Sequence, residues 1–273
     1  MEITASIVLY KTPPSELQHI CECLLKSSLI SKLFLVDNSP DDRLKNVIVM
    51  KKVKLVFVGE NISYGAGHNI AIKKIIDVSS FHLVLNSDIS FKPDIIDKLL
   101  SYIVSNPDIG HMMPKIIYPN GQIQYSCKLL PTPIDMLIRR FFLSALFKKR
   151  DRRFHLKFTT YEEIMEVPYL SGCFMFLRTE ALKKVGLFDE RFFMYPEDID
   201  LTRRIHKEYK TIYFPEVLVI HNHIRESRKN IRLFFILIIN MIRYFNKWGW
   251  FFDAERRKIN KRILEKLNYK REL

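Results

Sequence analysis

Apolar and polar positions alternate along the first hundred residues in a strand–helix rhythm. Ile3–Tyr10 is a largely apolar run with the pattern of a buried strand. Thr12-Pro13-Pro14-Ser15 breaks it before Glu16–Ser28, which reads as a helix. Lys32–Val36 predicts a second strand, ending at the turn formers Asp37-Asn38-Ser39-Pro40, and Lys54–Val58 a third. Ser63-Tyr64-Gly65-Ala66-Gly67 reads as a loop, Asn69–Val78 as a helix, and Phe81–Leu85 as a fourth strand closing on Asn86-Ser87-Asp88. Lys92–Ser105 predicts a further helix, with Pro93 in its first turn. This alternation implies βα units on a mainly parallel sheet, and such sheets take ligands beyond the carboxyl ends of their strands. Asp37-Asn38, Ser63–Gly67 and Asn86–Asp88 all fall there.

The second half is less regular. After Ile109–Tyr118, Asn120-Gly121 suits a hairpin turn, and Leu130-Pro131-Thr132-Pro133 opens a connector. Tyr169–Leu177 predicts a strand carrying Ser171-Gly172-Cys173. Thr179–Val185 predicts a short helix capped by Thr179 and ended by Gly186. Ile199–Lys207 follows as a helix, then Thr211–Phe214 and Val217–Ile220 as late strands before His221-Asn222-His223. From about residue 226 the pattern is that of amphipathic helices. No internal repeat interrupts the 273 residues, which divide into one domain over 1–225 and a basic, aromatic helical extension over 226–273.

The composition, 48% hydrophobic and 27% charged, is that of a folded chain and argues against wholesale disorder. The start lacks the features of a secretory signal, and the apolar run Leu233–Ile239 falls well short of the roughly 20 residues of a membrane span. Cys21, Cys23, Cys127 and Cys173 lack zinc-knuckle spacing and read as reduced thiols in ordinary packing.

The formal charge of +14 changes the picture more. Cations concentrate at Arg139, Arg140, Lys148, Lys149, Arg150, Arg152, Arg153 and Lys157, and again from Arg225 to Arg271. Both blocks mix in apolar and aromatic residues, as in Arg139-Arg140-Phe141-Phe142-Leu143 and Asn246-Lys247-Trp248-Gly249-Trp250-Phe251-Phe252. That mixture suits an anionic membrane surface. A solvated basic face is the plain alternative. Nucleic acid is the rival partner, but no recognised nucleic-acid-binding pattern accompanies the charge.

Against this basic background, the acidic, aromatic stretch Gly186–Leu201 stands out. Its carboxylates Asp189, Glu190, Glu197, Asp198 and Asp200 lie among Phe and Tyr, where acids are unfavourable unless paired or bound to a cation. Asp198 suits a catalytic base, and equally an acid favoured by a helix N-terminus. Asp88 at a strand end can hold a divalent cation or simply cap a turn. Gly65 and Gly67 allow close backbone approach to a phosphate or sugar, with no dinucleotide or P-loop string beside them. His221 and His223 lie two apart on an extended chain, as metal ligands or as surface histidines.

In this order the motifs resemble glycosyltransferase family 2, particularly its bacterial rhamnosyltransferase-like members that build surface polysaccharides. The likeness runs from Ile3 to about His223. Its carriers are Val36-Asp37-Asn38-Ser39, Asn61–Asn69, Leu85-Asn86-Ser87-Asp88, Leu170-Ser171-Gly172-Cys173, Val185–Glu190 with Tyr195–Leu201, and Ile220-His221, with a further likeness at Tyr244–Gly249.

The resemblance implies an α/β GT-A fold, a nucleotide-sugar donor, a divalent metal (Mg²⁺ or Mn²⁺) and inversion at the anomeric carbon. By it, Asp37 and Asn38 meet the nucleotide and Gly65 and Asn69 line the donor pocket. Asn86 and Asp88 occupy the metal–diphosphate motif, His221 completes the metal site, and Asp198 is the general base supported by Glu197 and Gly172. By subfamily likeness dTDP-rhamnose is the favoured donor, with UDP-sugars behind it. The expected acceptor, a lipid-linked oligosaccharide of O-antigen or other surface polysaccharide synthesis, rests instead on the basic, aromatic blocks, which suit an anionic surface bearing diphosphate lipids. The implied location is the inner face of the cell membrane. Two departures stand out: Asn86 replaces the first acid of the usual motif, and His68 stands where relatives often have glycine. A non-catalytic nucleotide-sugar or glycan-binding module with the same fold is the alternative, and a nucleic-acid-binding protein a third.

Overall fold

The computed structural model describes residues 2–45, 50–140, 146–222 and 231–270. Parallel strands build one half of its central sheet: β1 (Ile3–Leu9), β2 (Ile30–Asp37), β3 (Val53–Phe57) and β4 (Phe81–Leu85). Helix α1 (Pro14–Leu25) crosses from β1 to β2, starting at a proline whose missing N–H a first turn does not need. Helix α2 (Tyr64–Ile75) crosses from β3 to β4, with Ser63 Oγ accepting the Ala66 N–H at 3.2 Å.

The other half is mixed. It contains β5 (Ile89–Phe91), α3 (Ile95–Ser105), β6 (Ile109–Ile117), β7 (Cys127–Lys128), α4 (Pro133–Arg140), α5 (Lys148–Phe154), β8 (Met165–Glu166), β9 (Tyr169–Leu170), β10 (Phe174–Arg178), α6 (Thr179–Val185), α7 (Glu197–Glu208) and β11 (Lys210–His221). The sheet order is β3-β2-β1-β4-β10-β6-β11-β5, with β8 beside β11 and a separate β7–β9 pair. Strand β10 runs antiparallel to both neighbours, so the sheet is parallel on one side and mixed on the other. Helices α8 (Ile231–Trp248) and α9 (Ala254–Lys266) follow. They join the main core through Met241, Tyr244, Phe245 and Ile263, packed in one cluster with Ile3, Leu83 and Tyr213.

Helix α3 starts at Ile95 behind Asp94, which leaves Pro93 ahead of its first turn, and Arg178 rather than Thr179 is the N-cap of α6. Three elements differ more from expectation. Ser63–Gly67 is mostly helical, because Ser63 caps α2 and the helix starts at Tyr64. Tyr169–Leu177 is not one strand: the chain leaves β9 at Leu170 and resumes in β10 at Phe174, putting Gly172 on the turn between two sheets. The two late strands are one, β11, whose register with β6 shifts between Phe214 and Leu218 around Pro215, a residue with no N–H to donate. All four cysteines are free and buried. His223, Arg225 and Phe141-Phe142-Leu143 lie outside the described residues, as do the side chains of Arg139 and Arg140.

Candidate active site

Beyond the end of β4 the chain turns through Asn86-Ser87-Asp88 into β5, whose Ile89 pairs with His221 at the end of β11. That pairing joins two distant motifs. His221 Nε2 lies 3.2 Å from Asp88 Oδ1 and 3.3 Å from Asn86 Nδ2. On the other side of the ring, Nδ1 donates to Gln124 Oε1 at 2.9 Å, and Gln124 Nε2 donates to His221 O at 2.9 Å. The reciprocal pair fixes the ring and aims Nε2 at Asp88. Burial opposes charge on this imidazole, but Cys173 and the Asp88 carboxylate outweigh it and push its pKa up to about 10.

One carboxylate and one imidazole, the latter once a cation displaces its Nε2 proton, suit a divalent cation that leaves most of its coordination to a diphosphate and water. Among the described residues no group of three or more His, Cys, Asp or Glu is arranged to hold a metal alone. The donor set therefore fits an ion shared with the substrate.

The second half of the site opens α7. Asp198 is 8% exposed; its Oδ2 accepts the Gly172 N–H at 3.0 Å and its Oδ1 the Ile199 N–H at 2.8 Å. A Cβ on residue 172 would lie 3.0 Å from Asp198 Cβ, so glycine is what lets the carboxylate approach that backbone. Glu197 is also buried, and its Oε2 has no partner. Burial and the neighbouring Asp198 charge raise its pKa well above the ordinary carboxyl range. Before the two acids, one residue ahead of the N-cap Pro196, Tyr195 has φ +90°, strained backbone for a tyrosine at the mouth of the helix.

Tyr64, which sequence reading did not single out, joins the two halves. Its hydroxyl donates to Gly172 O at 2.9 Å and Asn86 Oδ1 at 3.1 Å. Burial, reinforced by Cys173, Glu197, Asp198 and Asp88, pushes its pKa well up, so it remains a neutral donor. Gln124 was missed for the same reason. Both are uncharged, and their partners lie far away in the chain.

At the end of β2, Asp37 Oδ1 accepts the Ser39 N–H at 3.0 Å, while Asp37 Oδ2 and Asn38 Oδ1 are buried without partners. Asn38 Nδ2 donates to Ser63 O at 2.9 Å. Gly65 and Gly67 serve close packing: an added Cβ would meet Phe188 Cβ at 2.9 Å and Val8 Cγ2 at 2.7 Å, respectively. Asn69 is bound on both sides of its amide, donating to Phe188 O and Glu190 Oε1 at 2.9 Å and accepting the Phe188 N–H at 3.1 Å. It fastens α2 to the segment between α6 and α7.

His68 is wholly buried. Its Nδ1 lies 2.7 Å from Ser6 Oγ, which lies 2.8 Å from His82 Nε2; His82 Nδ1 is 2.8 Å from Thr4 Oγ1. Burial lowers the pKa of both rings, that of His82 to about 3.

The remaining acids of the 186–201 stretch have structural partners. Asp189 pairs with Arg191 and Lys247, and Glu190 with Lys73. Asp200, fully buried, accepts from Arg204 and Trp248 at 2.8 Å and pairs with Lys247 at 2.6 Å. Arg204 in turn donates to the carbonyls of Val185, Gly186 and Leu187.

No family model matches the chain. It is 29% identical over 234 residues to the N-acetylglucosaminyl-diphospho-decaprenol L-rhamnosyltransferase of Mycobacterium tuberculosis, covering 79% of this chain and 74% of that protein. It is 24% identical over 224 residues to the low-salt glycan biosynthesis hexosyltransferase Agl10 of Haloferax volcanii, covering 81% and 67%. Among solved structures it resembles GalNAc-T7 with UDP, GalNAc and Mn²⁺ (TM-score 0.62, 16% identity, 84% of this chain and 44% of that one). It also resembles S. aureus TarS (TM-score 0.59, 16% identity, 97% and 43%) and TarS 1–349 in complex with UDP (TM-score 0.57, 14% identity, 97% and 71%). The chain thus spans under half the length of the first two solved chains. These likenesses bear out the α/β GT-A fold and the resemblance to glycosyltransferases of the family 2 kind.

Proposed function

We propose that this GT-A chain is an inverting, metal-dependent glycosyltransferase that moves a sugar from a nucleotide diphosphate to a lipid-linked glycan. The observation that carries this reading is the pairing of two unlike acidic sites, Asp198 and Asp88–His221, bridged by the Tyr64 hydroxyl. Asp198 takes the proton of the acceptor hydroxyl as that oxygen attacks the anomeric carbon. The new carbon–oxygen bond forms on the face opposite the breaking bond to the diphosphate, which inverts the centre. Gly172 holds one Asp198 oxygen by its N–H, and neutral Glu197 spares Asp198 a second charge beside it. A Mg²⁺ or Mn²⁺ bound at Asp88 and His221 would stabilise charge on the leaving diphosphate. The unpartnered Asp37 Oδ2 suits an N–H of the nucleotide base.

The Mycobacterium relative's name, with its diphospho-decaprenol and L-rhamnosyl parts, favours a polyprenyl-diphosphate acceptor and dTDP-rhamnose as donor, with a UDP-sugar second. We assign this activity to residues 1–225 and place it in surface polysaccharide synthesis, O-antigen included, at the inner membrane face. The test is a panel of nucleotide sugars scored for thermal stabilisation and for hydrolysis with and without Mg²⁺ or Mn²⁺. Stabilisation by dTDP-rhamnose above the others is expected; indifference to every nucleotide sugar with metal present overturns the reading. In Asp198→Asn, transfer should fall by about 10²–10⁴-fold with donor stabilisation kept. Undiminished transfer removes Asp198 from the base role.

A further inference from the structure

Helix α8 is apolar on two opposite sides. Its inner side is buried through Met241, Tyr244 and Phe245. On its outer side Ile231 is 68% exposed, Phe235 57%, Ile239 49% and Ile242 43%. At about 100° per residue these four fall within roughly 80° of one another, forming a stripe about three turns long. A helix covering a water-soluble core turns charged and polar residues outward; a continuous outer stripe of Ile and Phe marks a surface that something apolar covers. The helix itself is no span, since among the described residues none is long and apolar enough to cross a membrane.

Two further observations identify the occupant. The first is charge. Arg243 is exposed beside the stripe, and Trp250, Phe251 and Phe252 are exposed just beyond the helix, Phe252 by 90%. At Phe251 a groove of about 470 Å³ is lined by the cations Arg153, Arg256, Arg257 and Lys261 against a single acid, Glu265, with Tyr269 beside them. The two basic, aromatic blocks of the sequence meet in it, Arg153 from one and Arg257 and Lys261 from the other. Cations beside exposed rings complement lipid phosphates at a headgroup boundary. The second is position. Asn240 Nδ2 donates to Met194 O at 3.1 Å and Arg243 donates to Arg191 O at 2.6 Å. Helix α8 is thereby fastened to the segment that leads directly into Glu197 and Asp198.

We propose that α8 lies flat in the interface of an anionic phospholipid bilayer, with the Ile231, Phe235, Ile239 and Ile242 stripe among the acyl chains. Bound this way, the helix brings the segment before Asp198 to the membrane surface, where the sugar of a lipid-linked acceptor projects. The purpose of the surface rests on the acceptor reading above; its existence is tested without an acceptor.

The experiment is flotation of the full chain with vesicles of phosphatidylcholine alone or with about one-third phosphatidylglycerol, comparing wild type with a Phe235→Ser, Ile239→Ser double variant. Both residues are half-exposed, and an unchanged melting temperature checks that the fold is kept. Wild type should float with anionic vesicles and less with neutral ones, and the double variant should partition at least about tenfold less. Failure of wild type to float, equal binding to both vesicles, or a double variant that floats like wild type overturns the proposal. So does a lipid-free dimer that the variant converts to monomer, because a second copy would then cover the stripe. Nucleotide-sugar hydrolysis measured without vesicles keeps the two readings apart. Lost flotation with unchanged hydrolysis tests the surface alone, and flotation without any hydrolysis would count against the enzyme alone.

Discussion

Glu197 and Asp198 stand side by side at the start of α7 in different surroundings. Asp198 accepts two backbone N–H groups, while Glu197 Oε2 is buried without a partner. Because the folded Glu197 holds its proton to a higher pH than the unfolded chain does, its neutral form adds stability that is fully present below about pH 4.5. That stability is lost as pH rises through the raised folded-state value. Glu197→Gln keeps the neutral shape and removes the titration. The melting temperature of E197Q should therefore gain on wild type between pH 5 and pH 8, and melting curves at both values check this. A constant offset would mean that folding does not raise the Glu197 value. Activity should survive, because the exchange leaves the Asp198 carboxylate in place.

At the scale of elements, α2 packs against the sheet through its glycines. A methyl on Gly67 would lie 2.7 Å and 3.0 Å from the two Val8 γ-carbons, a conflict the β-branched valine on β1 can relieve only by moving strand or helix. Gly67→Ala should cost about 1–3 kcal/mol, read as a lower urea midpoint at unchanged m-value. A change under half a kilocalorie would show that the helix gives way freely.

The same helix shows what a sequence can disclose. Phe81–Leu85 and Thr179–Val185 have their expected bounds, because uninterrupted apolarity and a closing Gly186 are local signals. The expected cap does not hold, since Arg178 is the N-cap and the Thr179 hydroxyl donates to the carbonyls of Ser79 and Ser80. The start of α2 was read as a loop because Ser63, Gly65 and Gly67 carry local turn preference; the reason for those glycines is the tight approach of Val8 and Phe188, which no local pattern records. Asp88 and His221 were legible as separate motifs of a familiar order. Tyr64 and Gln124, which join and orient them, were not, since an uncharged side chain becomes informative only once its distant partner is known.

Across the whole molecule, the C-terminal helices hold α7 through charge as well as apolar packing. Arg203, 1% exposed, donates to both oxygens of Asp253 at 2.8 and 2.9 Å and to Glu255 at 2.9 Å, with its guanidinium over the Trp248 ring. Trp248 and Lys247 meanwhile bind Asp200. Removing one partner of such a buried group strands the others, so Arg203→Ala should cost about 3–5 kcal/mol in urea unfolding. A loss under 1 kcal/mol would mean that α9 contributes little to the placement of α7.

The buried row through His68, Ser6, His82, Thr4 and Ser79 has a direction. Ser79 Oγ donates to the carbonyls of Phe81 at 2.7 Å and Glu2 at 3.0 Å, and a carbonyl can only accept. Ser79 must therefore receive from Thr4, which frees Thr4 to accept only from His82 Nδ1–H. His82 Nε2 then takes the Ser6 hydroxyl proton, and Ser6 takes the His68 Nδ1 proton. The carbonyls at one end of the row thus dictate the tautomers of two neutral imidazoles along it. The far end of the row, His68 Nε2, is left as a bare lone pair rather than a stranded N–H, and the His68 ring makes a T-shaped contact with the ring of Tyr64, whose hydroxyl joins the two halves of the site.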